Sequence, residues 1–254
     1  MANTPQIEVL EVPLGAILGM REEYRREMGC QIVHDSWHAR GFTTSYHLLL
    51  DGEFAGYGSV GGAPRDPGDT VKEIYLLPRF RGAVQALFRE LVARSGARRI
   101  EAQTNDPLLL LMLFDCAVEV SSPTILFADG LTTEHAPAGA AFRRLTEAER
   151  GSVFAHTHEP EGEYGLVYEG AIVATGGLTF YYNPPFADLY MEVAAPYQGR
   201  GFGSYLVQEL KRVCYEMGRV PAARCGGTNV ASRRTLQRAG MFPCGRIVQG
   251  TLAG

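Results

Sequence analysis

The sequence predicts an α/β protein made of two duplicated domains, and three observations support this fold class. The chain has 254 residues, which is enough for two domains of ordinary size. Two stretches that read as strand, acidic residue–Gly turn and strand recur at an offset of 118 residues, Leu48–Gly58 and Leu166–Gly176. A helix start recurs at an offset of 124 residues, at Thr104–Asn105 and at Thr228–Asn229. This internal similarity predicts a repeated αβ unit in which each copy buries its own sheet.

The junction between the copies is predicted in Gly130–Gly139, because that segment has neither the helical nor the strand period. We therefore predict an N-terminal domain of residues 1–130 and a C-terminal domain of residues 131–254. Thr146, with Glu149 three residues later, predicts a capping box at the first helix of the second copy.

The most informative motif is the run Tyr197–Ser204, which reads YQGRGFGS and follows a strand-like segment. An amphipathic helix is predicted after it, since apolar residues recur at steps of three and four from Phe202 until Gly218 ends the pattern. In a glycine-rich segment at a helix N-terminus, several backbone N–H groups can point at one anion, and the helix adds its partial positive charge. The run matches neither a Walker loop nor the dinucleotide-binding fingerprint. The alternative is that these glycines only form a tight turn before a core helix.

The pattern Gln198-x-x-Gly201-x-Gly203 resembles the acetyl-CoA pyrophosphate loop of the GNAT superfamily of N-acyltransferases. The stretch Asn229–Phe242 resembles the second conserved block of that family, in which an asparagine contacts the pantetheine arm. The resemblance implies two GNAT-like domains, each with a mixed, mainly antiparallel sheet flanked by helices, and acetyl-CoA as cosubstrate. It covers Ala141–Leu252 well and the first half of the chain only in outline.

The resemblance also implies a set of cofactor-binding residues on the fourth strand, on the glycine-rich loop and after the fifth strand. These are Met191, Val193, Gln198, Gly199, Arg200, Gly201, Phe202, Gly203, Ser204, Asn229 and Arg233. Local charge agrees with a polyanionic ligand, because residues 199–246 hold nine Lys or Arg and two Glu, whereas the whole chain has a formal net charge of −4. Arg200, with one or two of Arg233, Arg234 and Lys211, is expected to face the ligand. A solvated helix face is the alternative explanation of this charge.

The implied reaction is acetyl transfer to an amine by direct attack in a ternary complex. It needs a neutral amine, an oriented thioester and a proton for the departing thiolate. Family members often carry a carboxylate base on the fourth strand, which matches Leu189–Val193 here. Strand alternation puts Tyr190 and Glu192 on one face of this strand and its apolar residues on the other. We therefore predict Glu192 as general base and Tyr190 as a second catalytic residue, with substrate binding or solvent exposure as the alternative for Glu192.

The general acid is the point at which the chain departs from the family pattern. Many members carry a tyrosine seven residues after the asparagine, and that position is Leu236 here. A catalytically silent acyl-CoA-binding or sensing protein is therefore the second hypothesis for function.

The N-terminal copy is predicted to be degenerate. Its counterpart of the glycine-rich loop is Leu77–Ala83, which reads LPRFRGA and contains a single glycine. Close approach of the backbone to a pyrophosphate is harder there. Tandem proteins of this superfamily often pair a working C-terminal copy with a degenerate N-terminal one, so we expect one acetyl-CoA per chain.

The remaining patterns argue against other classes of protein. The clusters His34–His38 and His156–Glu159 lack further ligand residues nearby, so no metal site is predicted. An isoelectric point near 5.9 gives no support for nucleic-acid binding. The longest apolar run, Leu108–Phe114, is too short to span a bilayer, and Met1–Glu8 does not read as a signal peptide. Five widely spaced cysteines indicate no disulfide framework. These features predict a cytoplasmic protein without nucleic-acid or membrane partners.

The acceptor is expected to be an amine on a small molecule or a peptide, bound by a monomer or homodimer. Pro160–Glu163 and Tyr181–Phe186 flank the predicted site and are candidate walls of the acceptor pocket. Surface turns explain the composition of these two segments equally well.

Overall fold

The computed structural model describes residues 5–62 and 68–253. Two compact units divide the chain, one made of the residues up to Pro123 and from Gly245 onward, the other made of Thr124–Cys244. The predicted second domain, residues 131–254, differs from this second unit at both ends. The unit begins earlier, at Thr124, and ends earlier, at Cys244. The difference has a physical reason, because the chain end and the segment after residue 123 are strands that pair within the units just given.

The helices and strands of the chain have the following bounds. In chain order they are β1 (Ile7–Val12), α1 (Leu18–Met28), α2 (Asp35–Ala39), β2 (Thr43–Leu50), β3 (Glu53–Gly61), β4 (Thr70–Leu76), α3 (Val84–Ser95), β5 (Arg99–Gln103), α4 (Pro107–Cys116), β6 (Ala117–Asp129), β7 (Ala141–Arg144), α5 (Glu147–Arg150), β8 (Tyr164–Tyr168), β9 (Ala171–Thr179), β10 (Phe186–Val193), α6 (Phe202–Glu216), β11 (Val220–Gly226), α7 (Val230–Arg238) and β12 (Met241–Leu252).

In the first unit, neighbouring strands follow the order β1-β2-β3-β4-β5-β12. These pairs are antiparallel except for β4 and β5, which run parallel. Apolar residues of α3 and α4 pack on one face of the sheet, with Leu87, Phe88 and Met112 almost fully buried. Strand β12 enters this unit through Gly245–Leu252, whose Val248 and Leu252 join the same core.

In the second unit, the strand order is β6-β11-β10-β9-β8-β7, and only β10 and β11 pair in parallel. Helix α6 packs its apolar stripe on this sheet, with Leu206, Leu210 and Cys214 fully buried. The amphipathic pattern predicted this helix, and the structure confirms its start at Phe202. Each unit is thus a mixed, mainly antiparallel sheet flanked by helices, which confirms the predicted fold class.

Local sequence signals explain several element ends. Thr146 and Glu149 form the predicted capping box of α5, with each side chain bonded to the other residue's main-chain N–H. Both predicted hairpins are present, as β2–β3 and β8–β9. Asn229 is the N-cap of α7, as predicted, and its Oδ1 accepts a hydrogen bond from Ser232 N at 2.9 Å.

Within the described residues, no helix is long and apolar enough to cross a membrane. The prediction made from the N-terminal segment rests partly on residues 1–4, which lie outside the described part of the chain.

Candidate active site

The predicted phosphate loop lies between β10 and α6. The chain leaves β10 through a short 3-10 turn, Ala195–Tyr197, and then passes through two left-handed glycines, Gly199 with a φ of 75° and Gly201 with a φ of 89°. Gly201 is the N-cap of α6, and Phe202 begins the helix. A left-handed N-cap without a side chain leaves the first helical N–H groups accessible to an anion, which is the arrangement expected of a phosphate loop.

The glycines of this loop have different surroundings. A Cβ atom built at Gly199 would have no heavy atom of the described residues within 4 Å. A Cβ atom at Gly203 would lie 3.1 Å from Thr235 Cγ2, 3.3 Å from Met191 Cε and 3.4 Å from Val193 Cγ2. Gly203 therefore permits close packing of α6 on β10 and α7, whereas Gly199 leaves open space above the loop.

Arg200 extends from this loop over a cluster of aromatic rings. Its guanidinium lies 5.1 Å from the ring centre of Tyr168, 5.5 Å from that of Tyr197 and 5.4 Å from that of Phe202. Nη2 also donates a hydrogen bond to the Tyr168 hydroxyl at 3.3 Å. The residue is exposed, so the aromatic cluster holds a cation at the surface beside the loop.

Strands β10 and β11 separate next to the loop. They pair through Phe186–Asp188 and Val220–Ala222, and further along β10 pairs with β9 while β11 pairs with β6. Because both strands run in the same direction, the gap opens toward their carboxyl ends. The glycine-rich loop follows one of these ends and Asn229 follows the other.

The faces of β10 agree with the predicted alternation. Leu189, Met191 and Val193 pack in the core on the α6 side. Tyr190 and Glu192 occupy the opposite face, and the Tyr190 ring lies across Gly177 of β9, since a Cβ atom at Gly177 would be 2.6 Å from its hydroxyl oxygen. Burial raises the pKa of Tyr190 above its usual range.

Glu192 accepts hydrogen bonds from three consecutive residues. Its Oε1 accepts from Thr157 N at 2.9 Å and from Thr157 Oγ1 at 2.8 Å, and its Oε2 accepts from His158 N and Glu159 N, each at 3.0 Å. Partial burial favours the neutral carboxyl, but these donors outweigh it and lower the pKa of Glu192 to about 2. The carboxylate therefore holds the segment Thr157–Glu159 against the sheet, and its low basicity weakens the predicted role as general base.

The basic residues of the C-terminal half are not equivalent. Lys211 is 2% exposed, and its Nζ lies 2.8 Å from Asp129 Oδ1 while donating to the carbonyl oxygens of Leu131 and Ala239. Of the three candidates for a further ligand-facing cation, Lys211 is thus excluded, because this side chain joins α6 to two neighbouring segments. Arg233 is half-buried on α7, four residues after Asn229.

Sequence reasoning missed a buried polar group on β10. Asp188 lies on the same face as Tyr190 and Glu192, and its Oδ2 is 3.4 Å from Arg224 Nε on β11. Tyr182 is 3% exposed and lies beside this carboxyl. Strand alternation alone places Asp188 on this face, but its burial depends on contacts with Tyr182 and Arg224, which no local pattern reveals.

A family model matches most of the second unit. Residues 131–241 match the model of the Acetyltransferase (GNAT) family. A search of curated proteins finds no match. The resemblance stated from the sequence is thus confirmed as a match to the GNAT acetyltransferase family over residues 131–241.

Solved structures share the fold of the whole chain. An acetyltransferase from the GNAT family of Colwellia psychrerythraea has a TM-score of 0.72 at 15% identity, with coverage of 98% of this chain and 100% of that chain. A tandem GNAT protein from the clavulanic acid biosynthesis pathway, without AcCoA, has a TM-score of 0.65 at 13% identity, with coverage of 98% and 99%. A GCN5-related N-acetyltransferase from Sphaerobacter thermophilus has a TM-score of 0.58 at 18% identity, with coverage of 98% and 96%. At these identities the likeness concerns the fold.

Proposed function

We propose that the second unit is an acetyl-CoA-dependent N-acetyltransferase that transfers the acetyl group to an amine by direct attack in a ternary complex. The observation that carries this proposal is the gap between β10 and β11, which has a glycine-rich loop at one carboxyl end and Asn229 at the other. This arrangement suits a ligand with an anionic group at a helix N-terminus and an extended arm between two strands.

The loop supplies the proposed pyrophosphate contacts. In this proposal, backbone N–H groups between Gly199 and Ser204 contact the pyrophosphate beside the left-handed glycines, and Arg200 adds a cation that the neighbouring aromatic rings hold in place. Gln198 orders the start of the loop, since its Nε2 donates to Val193 O at 3.1 Å. Phosphate groups bound here would direct the pantetheine arm along β10.

The gap supplies the proposed site for the pantetheine arm and the thioester. Met191 and Val193 of β10 lie beside Gly203, so their main chain borders both the loop and the gap. Asn229 uses its side-chain oxygen as the cap of α7, which leaves the amide NH₂ to contact the arm. Arg233, one turn further along α7, is the proposed partner of a further phosphate.

The first unit lacks this loop conformation, which supports a single cofactor site. There, Pro78–Ala83 forms a 3-10 turn that runs directly into α3. Arg81, in the same turn, donates to Leu76 O at 3.2 Å and pairs with Glu27. The side chains of this segment thus support the local fold, and we propose that this copy is degenerate as a cofactor site.

The second candidate function is a silent acyl-CoA-binding protein. Leu236, at the position where many family members carry a tyrosine, is 5% exposed and packs in the apolar core. No proton donor for the thiolate comes from that position. Under this alternative, acetyl-CoA binds but is not consumed.

Release of CoA thiol in the presence of amines tests the proposal. The purified chain is incubated with acetyl-CoA and a panel of primary amines and peptides with free N-termini, and thiol is measured with a chromogenic reagent. We expect thiol release that depends on an amine, with one acetyl group on the product by mass spectrometry. Binding of acetyl-CoA without thiol release over the whole panel would favour the silent protein.

A further inference from the structure

Asp188 lies on β10 at the point where this strand and β11 stop pairing. Its register partner on β11 is Ala222, the last residue of the parallel pairing. The gap between the strands opens from here toward the loop and Asn229. An acyl group lying in the gap would therefore have Asp188 at its closed end, on the sheet face that also carries Tyr190 and Glu192.

Two buried polar atoms meet at this position. The Asp188 side chain is 9% exposed, and among the described residues none donates a hydrogen bond to its Oδ1. The Tyr182 hydroxyl is also buried and is the side-chain donor that acts on this carboxyl, although no hydrogen bond of normal geometry joins the two in the described part of the chain. A buried polar group without a well-formed hydrogen bond destabilises the fold. The carboxyl of Asp188 thus has one poorly aligned donor at the closed end of the gap, and its Oδ1 can still accept a hydrogen bond from a polar group of a ligand.

Charged groups act on Asp188 from two other segments. Arg224 on β11 brings Nε within 3.4 Å of Oδ2, and half of its side chain is exposed. Glu159 lies in the segment that Glu192 holds. Its negative charge raises the pKa of Asp188, and it is attracted to the positive charge of Arg224. On β12, Cys244 contributes an electrostatic effect that raises the pKa of Tyr182. Arg224 and Glu159 thus act on the Asp188 carboxyl with opposite sign, and substitution can remove each charge separately.

We infer that Asp188, rather than Glu192, accepts the proton of the acceptor amine; this inference rests on the proposed function. Four donors already occupy the carboxylate of Glu192, whereas Oδ1 of Asp188 is unpaired. In the transfer step, the amine nitrogen bonds to the thioester carbonyl carbon and the C–S bond breaks, with its electron pair leaving on sulfur. The proton lost by nitrogen goes to Asp188 and then to solvent, and the thiolate takes up a proton from solvent. The products are an amide and CoA thiol.

The acid–base properties of Asp188 suit this role. Burial raises its pKa to about 7, although the positive charge of Arg224 opposes the rise. A base with a pKa near the working pH transfers protons efficiently and is still ionised in roughly half of the molecules. Glu192, with a pKa of about 2, is a much weaker base.

The pH dependence of kcat/KM tests the inference, with an acceptor taken from the amine panel. In the wild type, kcat/KM should rise with pH through a step near pH 7. Asp188→Asn should lower kcat/KM by about 100-fold or more and remove this step, with unchanged acetyl-CoA affinity by calorimetry. Asp115→Asn, an exposed change of the same kind on α4, is the matched control and should behave as wild type.

Two further variants keep the test valid if Asp188→Asn folds poorly. Arg224→Gln removes a charge that lowers the pKa of Asp188, so the step should move to higher pH. Glu159→Gln removes a charge that raises this pKa, so the step should move to lower pH. A purely structural role of Asp188 predicts neither shift.

Each remaining outcome contradicts the inference. Wild-type kcat/KM in Asp188→Asn, or an unmoved step in both charge variants, would exclude Asp188 as base while leaving the transferase proposal intact. Loss of the step in Glu192→Gln, but not in Asp188→Asn, would return the role to Glu192. Acetyl-CoA binding without transfer to any amine would overturn both the proposed function and this inference.

Discussion

Glu192 Oε1 accepts two hydrogen bonds from Thr157, one from the main-chain nitrogen at 2.9 Å and one from the hydroxyl at 2.8 Å. Together with the two bonds to Oε2, these contacts make Glu192 the anchor of a segment that covers one face of β10. The same segment carries Glu159, which acts on Asp188. Glu192 therefore positions the segment Thr157–Glu159 on β10.

Replacement of Glu192 by glutamine tests the anchor. The amide keeps one acceptor oxygen but turns an NH₂ group toward main-chain donors, so we expect a loss of about 1–3 kcal/mol in unfolding free energy. The KM for the amine should rise more than kcat falls, because the covering segment loosens while the base is retained. Chemical denaturation and steady-state kinetics measure the two effects. A fall of about 100-fold in kcat at unchanged KM would instead support Glu192 as the base.

Acid should weaken the same anchor. Because the folded-state pKa of Glu192 is lowered to about 2, its stabilisation is complete above its ordinary pKa and is lost as pH falls through the folded value. We expect the stability difference between wild type and Glu192→Gln to be constant near neutral pH and to shrink between about pH 4.5 and pH 2. Thermal unfolding at several pH values measures this difference. An unchanged difference across that window would contradict the contacts described.

Asn229 combines a structural and a proposed binding role, and two substitutions separate them. Asn229→Ala removes the cap of α7 and should lower stability by about 1 kcal/mol, and it should weaken acetyl-CoA binding by about 1–2 kcal/mol. Asn229→Asp keeps a capping oxygen but lacks the NH₂ donor, so it should retain stability and still bind acetyl-CoA more weakly. Calorimetry and thermal unfolding distinguish these effects. Wild-type affinity in both variants would remove Asn229 from the proposed cofactor site.

The first unit contains a buried ion pair whose loss should be strongly destabilising. Glu73 is fully buried, and its carboxylate accepts from Arg21 Nε at 2.9 Å, from Arg21 Nη2 at 2.8 Å and from the Tyr57 hydroxyl at 3.0 Å. Burial favours the neutral acid, but His38 and Arg21 outweigh it and lower the pKa of Glu73 well below its usual range. Arg21→Met leaves this carboxylate without its main partner. We therefore expect the free energy of unfolding to fall by about 3–5 kcal/mol.

An exposed ion pair on the same helix provides the control. Arg26 and Glu23 pair at 3.0 Å on the surface of α1, with both side chains largely exposed. Arg26→Met should change stability by less than about 1 kcal/mol. Urea denaturation of both variants measures the contrast, and equal effects would contradict the importance of burial for the Arg21 pair.

The sequence predicted the parts of the fold that depend on local chemistry. The start of α6 at Phe202, the Asn229 cap and the capping box at Thr146 follow from residue types a few positions apart. Partners distant in the chain could not be predicted in this way. The pairing of Ile247 with Gln103, the burial of Asp188 and the bonds of Glu192 depend on contacts between separate elements. The candidate site was therefore predictable at its glycine-rich loop and less so at its acid–base groups.

Titration calorimetry with acetyl-CoA tests the central claim most directly, on wild type and on Gly201→Val. We expect one acetyl-CoA per chain in the wild type. Gly201→Val should abolish binding, because a branched residue is strained at a φ of 89° and its side chain would occupy the space of the phosphate. Ala83→Val, at the corresponding helix start of the first unit, should bind as wild type does. Two equivalent sites in the wild type, or full binding by Gly201→Val, would contradict a single cofactor site in the second unit.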